Sequence, residues 1–576
     1  MSAMAAAALA VPALPAGRPQ RASLRARLLW TARVRVLWVA LGFALATLIA
    51  LVRIASLGLA GQAPERTSLA QALLPPRGEI TDRNGVPLAR AFPAYALWFD
   101  PKAMGDDGPP LVRSPQEVAR ALKAIFPDID EARMARRLAS GRPGYLRRRI
   151  LPEDANKVFA LGEIALQVPR ETDRYYPQGT LAAHVLGYVV EGEGGKIGME
   201  QVLDQRLSDP ARRGEPVALS LDVRVQGALE DELRRGMLAT GALGAAGIVL
   251  DVDTGEVLAM ASLPEFDPNV VGASGAKNVF NRATNGVYEL GSTFKPLTVA
   301  VAMDAGVVRD LARLWDATPV AVGRRTITDL HPKGSRLNVP QALVYSSNTV
   351  TARVADEVGA ERLRRAMIEL GMDRPPFIEL PARGKPLFPP GPWSRITTMT
   401  VGYGHGLAVT PLHLASAYAA MVNGGIWRPA TLLKLDPAQV PRGRRVFTES
   451  TSWRMRQMLR MITLYGTGRS ANAAGYRVGG KTGSAEKAGR GGYNRSALIT
   501  SFAAAFPMDA PRYVVVVMLD EPQGTLASAF QRTAAYTAAP VVGRLVPRIG
   551  PLLGIQPDEQ RDIDISDLRD LVDKRS

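Results

Sequence analysis

Hydrophobic residues change their rhythm along the chain, and each change predicts a different kind of structure. Val36 to Val52 is an unbroken apolar run, VLWVALGFALATLIALV. At about 1.5 Å per helical residue it falls slightly short of a hydrocarbon core of roughly 30 Å. The apolar stretch Ile54 to Leu59, with snorkelling by Arg35 and Arg53, makes up the difference. One transmembrane helix is therefore predicted over 36–59. From about Glu65 to Gly214 short alternating apolar stretches are broken by Arg, Pro and Gly. From about Glu215 the pattern turns regular. Val223, Val225, Leu229 and Leu233 predict an amphipathic helix over Val223 to Met237. Gly247 to Leu250 and Glu256 to Ala261 flank Asp253-Thr254-Gly255, a hairpin signal. Helices are predicted after Ser292 and around Pro411 to Val422, and strands over Val478 to Ala485, Ser496 to Phe506 and Tyr513 to Leu519. Helices enclosed between an early hairpin and late strands predict an α+β domain with an antiparallel sheet. The tail after Gly554 is acidic and polar, which fits a short helix or disorder.

At 576 residues the chain exceeds one ordinary core, so more than one folded unit is expected. A content of 47% hydrophobic and 22% charged residues is that of a globular protein. There is no cysteine, and the four histidines (His184, His331, His405, His413) lack paired metal-ligand spacing. Neither a disulfide framework nor a thiolate or histidine metal centre is expected, and no cofactor is implied. The net charge of +17 invites a nucleic-acid reading, but its placement argues otherwise. Arg18, Arg21, Arg25, Arg27, Arg33 and Arg35 precede every acidic residue and abut the apolar run. Such asymmetry predicts a cytoplasmic N-terminus with the bulk of the chain outside. The apolar core is long for a cleaved signal and no A-x-A site ends it, so a retained signal anchor is expected. Ala40, Gly42, Ala44, Ala46 and Ala50 would permit close packing with a partner helix.

Short motifs then recur in one order. Ser292-Thr293-Phe294-Lys295 precedes an apolar helical run, so hydroxyl and amine share a face. A serine needs a base, and a lysine serves once burial or a neighbouring cation lowers its pKa. A helix opening at Ser292 would aim free N–H groups at an oxyanion. Ser346-Ser347-Asn348 offers a hydroxyl for proton relay and a carboxamide for a substrate amide. Lys481-Thr482-Gly483-Ser484, after Gly479-Gly480, offers a cation and hydroxyls suited to a carboxylate. Each motif alone is common; the ordered set is not.

SxxK, SxN and KTG in this order resemble the signature of serine β-lactamases and penicillin-binding proteins. The resemblance to class B penicillin-binding proteins extends over nearly the whole chain. Arg77-Gly78-Glu79-Ile80-Thr81-Asp82-Arg83-Asn84-Gly85, Arg174-Tyr175-Tyr176-Pro177-Gln178-Gly179, His184-Val185-Leu186-Gly187 and Gly195-Lys196-Ile197-Gly198-Met199-Glu200 resemble that family's pedestal motifs. Asp251 to Asn269 resembles its opening catalytic hairpin. The implied organisation is a cytoplasmic tail (1–35), a signal anchor (36–59), an elongated pedestal (60–214), a transpeptidase domain (215–550) and an acidic tail (551–576). That domain is expected to carry a central antiparallel sheet flanked by helices.

The resemblance also implies roles. Ser292 would attack the penultimate D-alanine carbonyl of a stem peptide, with Lys295 as base. Ser346 would relay a proton to the leaving amine, Asn348 would contact the donor amide and Lys481 would maintain the electrostatics. Thr482, Gly483 and Ser484 would bind the terminal carboxylate, and the amides of Ser292 and Ser484 the oxyanion. Gly402-Tyr403-Gly404-His405-Gly406 resembles a segment beside the site, making Tyr403 and His405 candidate wall residues. Leu290 departs from the family's usual proline before the SxxK glycine, which should loosen that turn slightly.

The function implied is cross-linking of D-Ala-D-Ala stem peptides at the division septum, as in the FtsI type, with β-lactams acylating Ser292. An FtsW-type polytopic glycosyltransferase and other divisome membrane proteins are the implied partners, in the inner membrane with the catalytic domain periplasmic. Elongation-type transpeptidation is the alternative. A D,D-carboxypeptidase and a non-catalytic β-lactam sensor or divisome scaffold are weaker readings. A β-lactamase would be a smaller secreted chain.

Overall fold

The computed structural model describes residues 24–60, 77–105, 108–190, 193–271, 277–323, 325–489 and 492–573. Arg18 and Arg21 of the basic tail lie outside the described residues. The chain divides into two compact units, Met1–Leu74 and Pro75–Ser576.

In the first unit a single helix, α1, runs over Leu24–Ala60. Its segment Trp30–Arg53 is long and apolar enough to cross a membrane, with mean hydropathy 2.2. The helix begins upstream of the predicted apolar run. Leucine, alanine and arginine are strong helix formers, so the basic flank continues the same helix.

The second unit opens with a module built on one long strand, Pro87–Phe99. Arg170–Tyr175 and Gly144–Ile150 pair with it, both antiparallel. A small core of Leu97, Phe99, Val118, Leu122, Leu138, Ile150 and Val158 lies against this sheet. The module is tied at its base by buried charges. Glu200, 0% exposed, accepts from Arg77 Nε at 3.0 Å and Arg174 Nε at 2.7 Å. Ile80–Thr81 pairs with Val217–Ala218, leading into the next part of the chain.

There, α2 (Val223–Thr240) precedes the hairpin β1 (Gly244–Asp251) and β2 (Val257–Leu263). After a run of helices come β3 (Gly479–Gly489), β4 (Gly492–Phe506) and β5 (Tyr513–Asp520). They form one five-stranded sheet in the order β2-β1-β5-β4-β3, every neighbour antiparallel. Both faces are covered, which is why β5 reads YVVVVMLD without polar alternation. Val515 and Val517 pack with Leu229, Leu233, Val541 and Leu545 on one side. Val514, Val516 and Met518 pack with Leu414, Tyr418, Met458 and Met461 on the other. The first set belongs to α2 and α7 (Ala538–Ile549); the second to α5 (Pro411–Val422) and α6 (Glu449–Tyr465). The acidic tail is ordered through Ser566–Asp573 (α8), with Ile563, Leu568 and Val572 buried in the main core. Polar outward positions hid these few apolar anchors.

Candidate active site

Ser292 lies in a 3-10 turn, Gly291–Phe294, and the α-helix α3 (Lys295–Asp304) begins only after it. This corrects the expected helix start by one turn. In a 3-10 turn residues three apart eclipse, so Ser292 and Lys295 still share a face. The turn is pinned from several sides. Tyr418 of α5 donates its hydroxyl to the Thr293 carbonyl at 2.7 Å, and the Gly291 amide donates to the Gly404 carbonyl at 3.2 Å. Leu290, where a proline would stand in the family, is 1% exposed and fills the core instead.

Close backbone approach explains the glycine positions. A Cβ on Gly404 (φ +85°) would lie 2.0 Å from the Gly291 carbonyl oxygen, and one on Gly483 2.2 Å from that of Leu290. The KTG strand and the GYGHG turn therefore meet the nucleophile's own backbone. Gly483 serves this approach.

Lys295 and Lys481 are both 0% exposed, and both donate to the hydroxyl of Ser346, at 3.1 and 3.0 Å. Lys295 also donates to the Ser346 carbonyl. Burial, then the charge of Lys481, drives Lys295 far below the usual lysine range, against an opposing pull from Asp329. Burial brings Lys481 down to about 7. Burial thus disfavours the charged form of both amines, one of them three residues along the same turn from Ser292, whose own hydroxyl has no hydrogen-bond partner among the described residues.

Ser346 sits at φ +64°, a left-handed conformation unusual for serine. The neighbouring turn holds it there through Asp329. That carboxylate accepts from the Ser347 hydroxyl at 2.7 Å and from the Thr349 amide and hydroxyl at 2.9 and 3.1 Å. The Asn348 amide also donates to it. Asp329 thereby caps α4 (Asn348–Val358). The Asn348 side-chain amide donates to the Thr328 carbonyl at 3.0 Å, leaving its oxygen for a ligand N–H.

On the opposite wall, the Thr482 hydroxyl pairs with that of Thr467 at 2.7 Å and accepts from Lys481 at 3.2 Å. The Ser484 hydroxyl accepts from the Ala534 amide at 3.0 Å and keeps its own proton to donate. The rings of Tyr403 and His405 lie tilted with centroids 5.2 Å apart, and Tyr493 meets His405 edge-on at 6.1 Å. Burial and the nearby Lys295 charge lower His405 to about 4, so it is neutral at physiological pH. These contacts join Lys295, Ser346, Lys481 and Thr482, and bring Gly483 and the Gly404 turn that carries Tyr403 and His405 against the Ser292 segment. Asp329, Thr467 and Glu289 went unread in the sequence. Asp329 acts from 18 residues upstream of the serine it bonds, and no local spacing marks it.

A serine at a helix start, with a buried lysine whose charged form is disfavoured and a second lysine across a shared hydroxyl, is the site of an SxxK serine acyltransferase. The chain belongs to the penicillin-binding protein transpeptidase family. The family described as penicillin binding protein transpeptidase domain matches residues 245–545, and the penicillin-binding protein dimerisation domain matches residues 72–214. The chain is 38% identical over 501 residues to a probable peptidoglycan D,D-transpeptidase FtsI of Caulobacter vibrioides, covering 84% of this chain and 83% of that one. It is 32% identical to the peptidoglycan D,D-transpeptidase FtsI of Escherichia coli K12, covering 84% of each. Penicillin binding protein 3 from Mycobacterium tuberculosis, solved with aztreonam, shares the fold. Its TM-score is 0.65 at 24% identity, covering 85% of this chain and 99% of that one.

Proposed function

We propose that this protein is a peptidoglycan D,D-transpeptidase acting through an acyl-enzyme on Ser292. The observation that carries the reading is the pair of buried lysines converging on Ser346 beside an unpartnered serine. Lys295 takes the Ser292 proton as Oγ bonds to the penultimate D-alanine carbonyl carbon. The oxyanion is met by the amides of Ser292 and Ser484. Collapse breaks the peptide bond, and Ser346, fed by the lysines, passes the proton to the departing D-alanine nitrogen. The Asn348 carbonyl orients the donor amide, while Thr482 and Ser484 hold the terminal carboxylate under the charge of Lys481. Tyr403 and His405 wall the cleft. An amine of a second strand then takes the acyl group, and a β-lactam stops at the first step.

The similarity to FtsI proteins supports a septal role. The basic flank supports an inner-membrane anchor with the catalytic domain periplasmic, and α1 is a docking element for an FtsW-type glycosyltransferase and other division proteins. The domain plan is that of an anchor, a pedestal to about 214 and a transpeptidase domain beyond. The direct test supplies a pentapeptide donor and an amine acceptor: D-alanine release with amide product supports the reading, and release of D-alanine with water as sole acceptor contradicts it. Depletion in cells tests the septal assignment. Filaments support it; rounded cells would reassign the enzyme to elongation.

A further inference from the structure

Next to Ser292 lies a group of side chains that the acylation chemistry leaves unused. Glu289 precedes the nucleophile's turn, and its Oε1 accepts from the Gly406 amide and the Tyr493 hydroxyl, each at 2.9 Å. Its Oε2 is shielded from solvent and has no hydrogen-bond partner. The same is true of His405 Nδ1. These two orphan atoms sit in one connected unit, because Gly406 follows His405 and the Gly404 carbonyl accepts from Gly291, the neighbour of Ser292. The rings of Tyr403 and Tyr493 flank the imidazole.

Leaving a shielded carboxylate oxygen without a donor costs free energy, and such groups are kept where a ligand supplies the donor. Among the described residues no cation pairs with Glu289, and burial raises its pKa. A cationic N–H donor would fill Oε2 and offset the cost of burying the carboxylate charge. Tyrosine faces add to the attraction for a cation. Arg325, which influences both tyrosines, makes no ion pair with Glu289. Neutral His405 offers a further acceptor or donor without opposing the charge.

We propose that Glu289, with His405 and Tyr493 around it, forms a specificity-determining subsite for a primary ammonium group of a wall peptide. The inference rests on the transpeptidase reading, in which the acyl group passes to an amine. Because both strands belong to one polymer, the donor carries the same side-chain amine as the acceptor, and either could fill the subsite. In the acceptor case the ammonium first loses a proton to solvent. Its nitrogen then bonds to the acyl carbon as the carbon–Oγ bond of Ser292 breaks, and the second proton reaches Oγ through Lys295.

The test uses the full chain in detergent and the variant Glu289→Gln, which keeps an oxygen for the Gly406 amide but no charge. One arm compares acylation by a pentapeptide donor with a free side-chain amine against its N-acetyl form. The other loads the enzyme with the acetylated donor and measures amide formation against hydrolysis as a free-amine acceptor peptide is added. Wild type is expected to favour the amine about tenfold or more in one arm, and the preference should collapse toward one in Glu289→Gln and return partly in Glu289→Asp. Collapse in the first arm assigns the subsite to the donor; collapse in the second assigns it to the acceptor. Equal preference in wild type and Glu289→Gln overturns the proposal, as does an equal loss on amine and acetylated ligands. Failure of the wild type to release D-alanine at all would instead overturn the reading beneath it.

Discussion

Two ammonium groups cannot comfortably share one hydroxyl in a dry site, and that conflict sets the behaviour of Lys295. Burial and the Lys481 charge push its pKa down, while Asp329 pulls it up. Since the base must be neutral, acylation should rise with pH through the titration of the lysine pair. The direction is set by loss of a proton from a cation whose charged form is disfavoured. Replacing Asp329 with Asn removes the upward pull, so the acid limb should move to lower pH. It also loosens the SxN turn, so the plateau rate should fall about 10–100-fold through misplacement of Ser346. A pH series of stopped-flow acylation by a chromogenic β-lactam measures both effects. A slower plateau with an unmoved acid limb would reduce Asp329 to a positioning residue alone.

At the level of elements, the site depends on backbones that approach where only glycine fits. Gly404→Ala places a methyl 2.0 Å from the Gly291 carbonyl at φ +85°. Penicillin labelling should be lost, and stability should fall by about 2 kcal/mol or more, read from thermal unfolding. A second expectation concerns α5, whose first turn holds His413 in a capping box with Thr410. Burial lowers His413 to about 4 from an ordinary 6.5. The unfolded chain therefore binds the proton first, and stability should decline as pH falls from 6.5 toward 4, levelling off below. His413 contributes a loss on the order of 3 kcal/mol, and His413→Gln should remove that share in denaturant titrations of the full chain, leaving the share of His405. Period decides which elements the sequence discloses. The strands over 496–506 and 513–519 and the helix over Pro411 to Val422 were legible because they are long and apolar. The 3-10 turn at Ser292 was not, because a hydrogen bond donated by Tyr418 and one accepted by the Gly404 carbonyl impose it from distant segments.

Across the whole molecule, motif order singled out the SxxK, SxN and KTG segments, but the contacts that support them are long-range pairs that no local pattern marks. Asp329 beneath the SxN turn is one such case, and the base of the pedestal is another. Glu200 is fully buried between Arg77 and Arg174, and although each of the three stands in a pedestal motif, no spacing between those motifs marks them as partners. Glu200→Gln leaves the buried Arg174 guanidinium without its counter-charge, while Arg77 keeps Asp204, and should cost about 3 kcal/mol in thermal or chemical unfolding of the full chain. Intact-mass analysis of the full chain after exposure to a penicillin should show one covalent adduct, mapping by peptide digestion to the segment holding Ser292. Ser292→Ala, with unchanged thermal unfolding, should show none; an adduct that persists in that variant, or that maps to another serine, would contradict the account.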